Sequence, residues 1–434
     1  MRKAFILVLF TLSLGFARAQ ALYFPPTSGT TWDTISPATL GWCQPNIDTL
    51  YSFLEAKHTM AFIILKDGKI VLEKYFGTFT IDSPHLWNSA SKSLTATLTG
   101  IAQENGLVNI DSPATHYLGA GWTSCTPAQE DSITLLDLLT MTSGLNPLPN
   151  GCANTDTSVA CLDYLVPAGT QWTYHTGAYR KLENVLSNAS SLNYNILTRN
   201  YLGTATGMTG LWIQQEFAST ARSAARFGLL TLNHDIWAGD TLLHDTAYFR
   251  AMTNTSQPYN LSYGYLWWLN GKASYMTPGP QQVAQGELIP NGQPDMLCAL
   301  GKNDQKIYVI PSTNMVVVRM GNAADSTTDA SSAFDNALWG KIDSLTCTPN
   351  GIITQQAPQN LNIYPNPSSG ILYIQSANTN PTSKILVSNM LGEAVAEYSY
   401  ASRIDISHLP QGLYVIRLKD GAGNLTGATR IVKE

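Results

Sequence analysis

Apolar positions along this chain recur with two different periods, and the change from one to the other outlines its elements. Ala61-Phe62-Ile63-Ile64-Leu65 and Ile70-Val71-Leu72 flank the turn residues Lys66-Asp67-Gly68-Lys69, which predicts a β-hairpin over 60–72. Just upstream, Leu50, Phe53 and Leu54 stand at helical spacing and predict a helix over 48–57. The same spacing, carried by Leu94, Leu98, Ile101 and Ala102, runs from 89 to a stop at Asn105-Gly106. A further helix over 135–141 ends at Thr142-Ser143-Gly144. Another over 218–232 presents Ala221, Ala224, Ala225, Gly228, Leu229 and Leu232, a small apolar face suited to close packing. Ile307-Tyr308-Val309-Ile310 and the run 315–320, joined at Pro311-Ser312-Thr313-Asn314, predict a second hairpin. Strands at both ends with helices between imply an α/β (α+β) domain, an antiparallel sheet flanked by helices and a helical region.

The pattern changes after Cys347. Residues 348–358 have linker composition. Beyond them short strands are expected at 361–364, 371–377, 384–390, 394–400, 403–406, 413–418 and 427–432. Pro365-Asn366-Pro367, Ser369-Gly370, Leu391-Gly392 and Gln411-Gly412 separate them, the signature of a small all-β sandwich. At the other end, Arg2 and Lys3, an apolar run over 4–16 and Ala17-Arg18-Ala19 read as a signal peptide, with a retained anchor as the alternative. No later stretch is long and apolar enough to span a bilayer. The expected organisation is a signal peptide 1–19, a main domain 20–347, a linker 348–358 and a sandwich 359–434.

Charge narrows the function classes. A net charge of −5, with charged residues at only 13 %, argues against a nucleic-acid partner or an anionic membrane surface. The six cysteines contain no C-x-x-C. In an exported chain Cys152 and Cys161 are expected to close a short polar loop, and Cys43 and Cys347, near the ends of the main domain, to pair. The seven histidines form neither H-x-H nor H-E-x-x-H, so no metal site and no cofactor is expected.

The chemistry-bearing segment is Ser89-Ala90-Ser91-Lys92. Residues at i and i+3 of a helix share a face, so a hydroxyl and an amine meet within one turn. That pairs a nucleophile with a proton acceptor, as acyl transfer through serine requires. Three further segments follow it: Leu138-Leu139-Thr140-Met141-Thr142-Ser143-Gly144-Leu145, then Trp172-Thr173-Tyr174-His175-Thr176, then Ala299-Leu300-Gly301 ahead of Gln305 and Ile307. The ordered set, over about 33–345, resembles the serine β-lactamase and penicillin-binding-protein superfamily, on the branch of class C β-lactamase-like esterases and aminohexanoate-oligomer hydrolases.

The resemblance implies a secreted serine hydrolase acting on a small ester or amide. Ser89 would be the nucleophile, with Lys92 and Tyr174 exchanging protons. The backbone N–H groups of Ser89 and Lys302 would form the oxyanion hole, and Ala299-Leu300-Gly301 would lie on a sheet-edge strand. Lys92 beside Tyr174 would favour a phenolate, so the two would titrate together and the sequence leaves open which holds the proton. Thr176, Leu300 and Gly301 stand where the family grips substrate, and two of them depart from its pattern. Thr176 replaces an asparagine, and Leu300 stands where a polar residue would recognise a carboxylate. Both departures favour esters or amides lacking that carboxylate over β-lactams or peptidoglycan peptides. β-Lactamase or D,D-peptidase activity, and a catalytically inactive binding protein, are the alternatives. His175 is expected to point away from the site, and Tyr263 to Trp268 to be core aromatics.

The final segment carries a second resemblance. Ile363-Tyr364-Pro365-Asn366-Pro367, Leu409-Pro410-Gln411-Gly412-Leu413-Tyr414 and the closing Ile431-Val432-Lys433-Glu434 are similar to the sorting domain of type IX secretion substrates. This implies the secretion machinery as partner and, by way of the periplasm, a secreted or cell-surface location.

Overall fold

In a computed structural model of the protein, the first hairpin is β1 (Thr59–Lys66) and β2 (Lys69–Tyr75). Asp67 and Gly68 both take positive φ, the conformation that a two-residue hairpin turn requires. The structure describes residues 22–279, 281–325, 331–347, 359–375, 383–390, 392–421 and 425–434, so the expected leader and linker lie outside the described residues. The chain divides into two compact units, Met1–Thr346 and Cys347–Glu434.

The first unit is organised on a six-stranded antiparallel sheet. Its other strands are β3 (Trp268–Leu269), β4 (Leu297–Gly301), β5 (Gln305–Ile310) and β6 (Met315–Gly321), in the order β2-β1-β6-β5-β4-β3. Phe62 to Leu65 on β1 and Val316 to Val318 on β6 are fully buried, because both sheet faces are covered. That is why these strands read as continuous apolar runs rather than alternations.

Five helices matter here: α1 (Gln44–Ala56), α2 (Ser91–Glu104), α3 (Thr176–Ser190), α4 (Ala221–Leu232) and α5 (Ala333–Asp343). The small face of α4 does what its composition foretold. A Cβ on Gly228 would fall 2.5 Å from Val316 Cγ1, so α4 lies closer to the sheet than any larger residue would permit. Ile307 faces α4, while its neighbour Tyr308 meets Trp339 of α5, so α4 and α5 cover opposite faces. The helix begins at 221 rather than 218, since Glu216–Ser219 forms a strand and Thr220 caps the helix by accepting from the Ser223 N–H.

Helix α2 is the axis of the helical region. Every residue from Ser91 to Ala102 is buried, and Thr95 and Thr99 return their hydroxyls to carbonyls four residues back. Cys152 and Cys161 form a disulfide, Cys43 and Cys347 are also disulfide-bonded, and Cys125 and Cys298 are free thiols.

The second unit is all-β. Its five-stranded sheet comprises Gln359–Asn360, Leu425–Lys433, Gly412–Lys419, Lys384–Ser388 and Ala394–Ser399, and its three-stranded sheet Asn362–Tyr364, Ile371–Gln375 and Arg403–Asp405. Strict alternation along Ile371–Gln375 turns Leu372 and Ile374 inward, where they join Ile385, Val387, Ile416 and Ile431 in one core.

Candidate active site

Ser89 sits in a single 3₁₀ turn, Asn88–Ala90, that leads directly into α2. The turn is fastened before the helix starts. The Trp87 N–H donates to Phe217 O at 2.8 Å, and the Phe217 N–H donates to Ser91 Oγ at 2.8 Å. Asn88 takes φ of 50°, which swings the chain sharply enough to leave Ser89 half-buried at the helix mouth.

Lys92 lies one turn on. Its Nζ is 2.8 Å from Ser89 Oγ, and the residue is 1 % exposed. The amine also lies over the rings of Tyr179 (4.2 Å to the centroid) and Tyr174 (4.7 Å). Burial pulls the Lys92 pKa well below the ordinary lysine range, and nearby Arg180 pushes it further down. Glu216 and Glu183 act the other way. A lysine so placed is able to shed its proton and accept one from a hydroxyl 2.8 Å away.

Tyr174 completes the group through its surroundings. Trp172, Tyr263 and Trp268 pack around its ring with centroids 5.9 to 6.3 Å away. The aromatics from Tyr263 to Trp268 are core residues, as expected, and two of them, Tyr263 and Trp268, also wall the Tyr174 ring. Burial pushes that phenol up to about 12, with the Ser89 hydroxyl pulling it partly back. The phenol oxygen is near enough to Ser89 for that influence, yet its geometry falls short of a full hydrogen bond. The sequence leaves open which of the two holds the proton; Lys92 sits over the ring face, and desolvation of the oxygen favours the protonated phenol.

His175 turns the other way. Its Nδ1 accepts from the Ala178 N–H and caps α3, and burial drops its pKa to about 4, so the ring is neutral. Thr176 is the first residue of α3 and is 7 % exposed.

The side expected to receive an oxyanion is a corner of backbone. A Cβ on Gly301 would fall 2.1 Å from Trp87 O and 3.1 Å from Ala90 N, so only glycine lets β4 lie against the turn that carries Ser89. Asn88 Nδ2 donates to Lys302 O at 2.7 Å and ties the next residue to the same turn. Leu300 is 1 % exposed, so its side chain offers a ligand no contact. The strand is an edge only in part, because β3 pairs with Leu297 and Cys298 and leaves Ala299 to Gly301 uncovered on that side.

Residues 52–338 match the family described as Beta-lactamase. The chain belongs to the β-lactamase family. Residues 362–434 match the secretion-system C-terminal sorting domain, so the protein is exported by the type IX route, to the cell surface or the surroundings. Solved structures agree with the β-lactamase fold. One, a protein named as a 6-aminohexanoate-dimer hydrolase from Bacillus anthracis, is similar at 17 % identity and TM-score 0.56 over 75 % of this chain and 90 % of that one. A class C β-lactamase from Rhodobacter sphaeroides is similar at 16 % identity and TM-score 0.51, over 70 % and 98 %. A penicillin-binding-protein homologue from Caulobacter crescentus is similar at 14 % identity and TM-score 0.52, over 70 % and 99 %. At these identities the likeness shows the fold. The β-lactamase fold hosts serine hydrolases, and the chain carries no helix long and apolar enough to cross a membrane among its described residues.

Sequence reasoning missed the polar residues behind this β-lactamase-type centre. Arg180 donates to Glu216 Oε1 at 3.2 Å and to Thr155 O at 3.1 Å. Glu183 is 6 % exposed, with one oxygen lacking a hydrogen bond, and burial lifts its carboxyl to about 8. Thr176, Tyr179, Arg180 and Glu183 fall at i, i+3, i+4 and i+7 of α3, so they form one inward stripe. That spacing was present in the sequence, but a charged stripe ordinarily faces water.

Proposed function

We propose that the protein is an exported serine hydrolase that cleaves an ester or amide through an acyl-Ser89 intermediate. The observation that carries this reading is the buried Lys92 amine, 2.8 Å from Ser89 Oγ with its pKa pulled down by desolvation. Neutral Lys92 takes the Ser89 proton as Oγ attacks the carbonyl carbon. The carbonyl oxygen, now an oxyanion, is received by the Ser89 and Lys302 N–H groups. Tyr174, a neutral phenol at rest, gives its proton to the departing oxygen or nitrogen and recovers one from the lysine ammonium. Water then attacks the acyl-enzyme with the same groups in reverse, and Ser89 is restored.

Substrate choice follows from what the corner lacks. With Leu300 buried, no side chain of Ala299-Leu300-Gly301 offers a charged grip, which favours esters and amides without an adjoining carboxylate. The named activity of the 6-aminohexanoate-dimer hydrolase agrees with an amide among them. A fluorophosphonate should label the wild type and not Ser89→Ala, and a panel of p-nitrophenyl esters and anilides should lose turnover in that variant. No label on the intact protein would favour an inactive binding protein. Rapid hydrolysis of a chromogenic cephalosporin would move the reading to β-lactamase activity.

A further inference from the structure

Resting on the acyl-serine reading above, we propose that Asn154 positions Tyr174 for proton transfer and that the Cys152–Cys161 disulfide holds Asn154 to that task. The Asn154 side chain clamps the backbone just after the tyrosine side chain: Nδ2 donates to Tyr174 O at 3.1 Å, and Oδ1 accepts from the Thr176 N–H at 3.0 Å. Nδ2 also donates to Pro147 O at 3.1 Å, and the Asn154 carbonyl accepts from the Gly177 N–H at 2.7 Å.

The two residues that follow reach the same helix start. Thr155 O accepts from Arg180, and a Cβ on Gly177 would fall 2.1 Å from Asp156 O, so the loop backbone lies directly on the first turn of α3. On the far side the Thr173 N–H donates to Met141 O at 2.8 Å. Tyr174 is thus gripped by its backbone from both directions.

That grip matters because the phenol oxygen has no hydrogen bond to hold it. The ring's neighbours Trp172, Tyr263 and Trp268 are aromatic. The place of the phenol is set by where residues 173–176 lie, and Asn154 is the described side chain that bonds to both the Tyr174 carbonyl and the Thr176 N–H, opposite the Met141 carbonyl that holds Thr173. The loop that carries Asn154 has almost no core. Of the residues from Cys152 to Cys161, only Cys161 is buried, and regular structure is confined to the 3₁₀ turn Val159–Cys161. The covalent link, nine residues apart in sequence, supplies the restraint that packing does not.

The test uses the full-length protein, its Asn154→Ala and Asn154→Asp variants, and the double variant Cys152→Ser/Cys161→Ser. In Asn154→Ala, kcat should fall by about 30- to 100-fold with KM within about threefold, because a misplaced proton donor costs the chemical step and not binding. Amide exchange at Thr176 and Gly177 should rise by about tenfold or more while the melting temperature moves by only a few degrees. Asn154→Asp keeps the acceptor for Thr176 and should lose less in both measurements. The double serine variant should change in the same direction by a smaller factor, and it answers the question alone if Asn154→Ala does not fold. An unchanged kcat, or a KM effect without a kcat effect, overturns the positioning role. Unchanged exchange overturns the clamp itself. A wild type that no fluorophosphonate labels sinks the acyl-serine reading instead, and the exchange measurement still decides whether Asn154 holds the Tyr174 segment.

Discussion

Behind the Gly301–Lys302 corner lies a buried cluster of charge in which each member has a partner. Lys306 sits between Asp304 at 3.2 Å and Asp335 at 2.9 Å, all three side chains nearly inaccessible. Asp304 also accepts from Ser332 and from the Ala324 N–H, and Arg319 donates to the carbonyls of Asn303 and Asp304. Behind Lys92 lies another buried cluster, built differently. Arg180 pairs with Glu216, but its Nε lacks a hydrogen bond, as does one Glu183 oxygen. Both clusters bear on the candidate chemistry, yet they divide the labour. The paired one fixes the turn that follows β4, where Asn303 and Asp304 take positive φ and need outside support. The loosely paired one surrounds Lys92, the amine that the proposed mechanism needs to change charge. A fully satisfied network is stiff, whereas one with spare valences leaves a titrating amine free to switch.

The comparison breaks most easily at Lys92. Replacing it in Lys92→Met should cut kcat/KM by about 10²- to 10⁴-fold without lowering the unfolding midpoint, because a desolvated amine gives way to an apolar chain of similar length. A large stability loss on urea denaturation would place Lys92 among the structural ions instead. Next comes the other cluster. Asp335→Ala leaves Lys306 buried with one carboxylate in place of two and should cost about 3–5 kcal/mol of stability. The loss should appear in chemical denaturation, with the residual folded enzyme keeping its pH profile.

The smallest effect sharpens the contrast. In Glu183→Gln the carboxyl can no longer ionise beside Lys92, so an acid limb of kcat/KM lying above about pH 8 should move to lower pH, one lying below should stay, and the plateau should hold within about threefold. The same variant has a stability signature. Burial lifts Glu183 from 4.5 to about 8, so the native state binds the extra proton across that window, and stability conferred below it is lost as pH rises through about 8. Glu183→Gln should flatten that decline. Wild-type and variant curves that run parallel from pH 4.5 to 8 would show that Glu183 does not titrate as argued.

The divide between the clusters also measures what the sequence disclosed. Both hairpins, α2 and the Ser89–Lys92 spacing were legible, because each rests on local periodicity that burial merely reinforces. The Tyr174 segment was legible by its motif, but the state of its phenol was not, since desolvation depends on Trp172, Tyr263 and Trp268 arriving from elsewhere. Glu183 was illegible for a sharper reason: its helix buries Arg180 and Glu183 alongside the apolar Leu182, Val185 and Leu186, where a charged pair would ordinarily lie on the solvent face. Lys306 and Arg319 face one another across β5 and β6, yet in sequence they read as single charges interrupting apolar strands. Asn154 lies in a polar loop, and nothing local distinguishes it from the asparagines around it.

Helix α2 is buried without a break from Ser91 to Ala102. A rod so enclosed has no partial exit: its amides reach solvent only when the surrounding unit comes apart. Lys92 on the helix and Ser89 in the turn that leads into it should therefore hold their alignment until the molecule melts, so that heat inactivation and global unfolding trace the same curve.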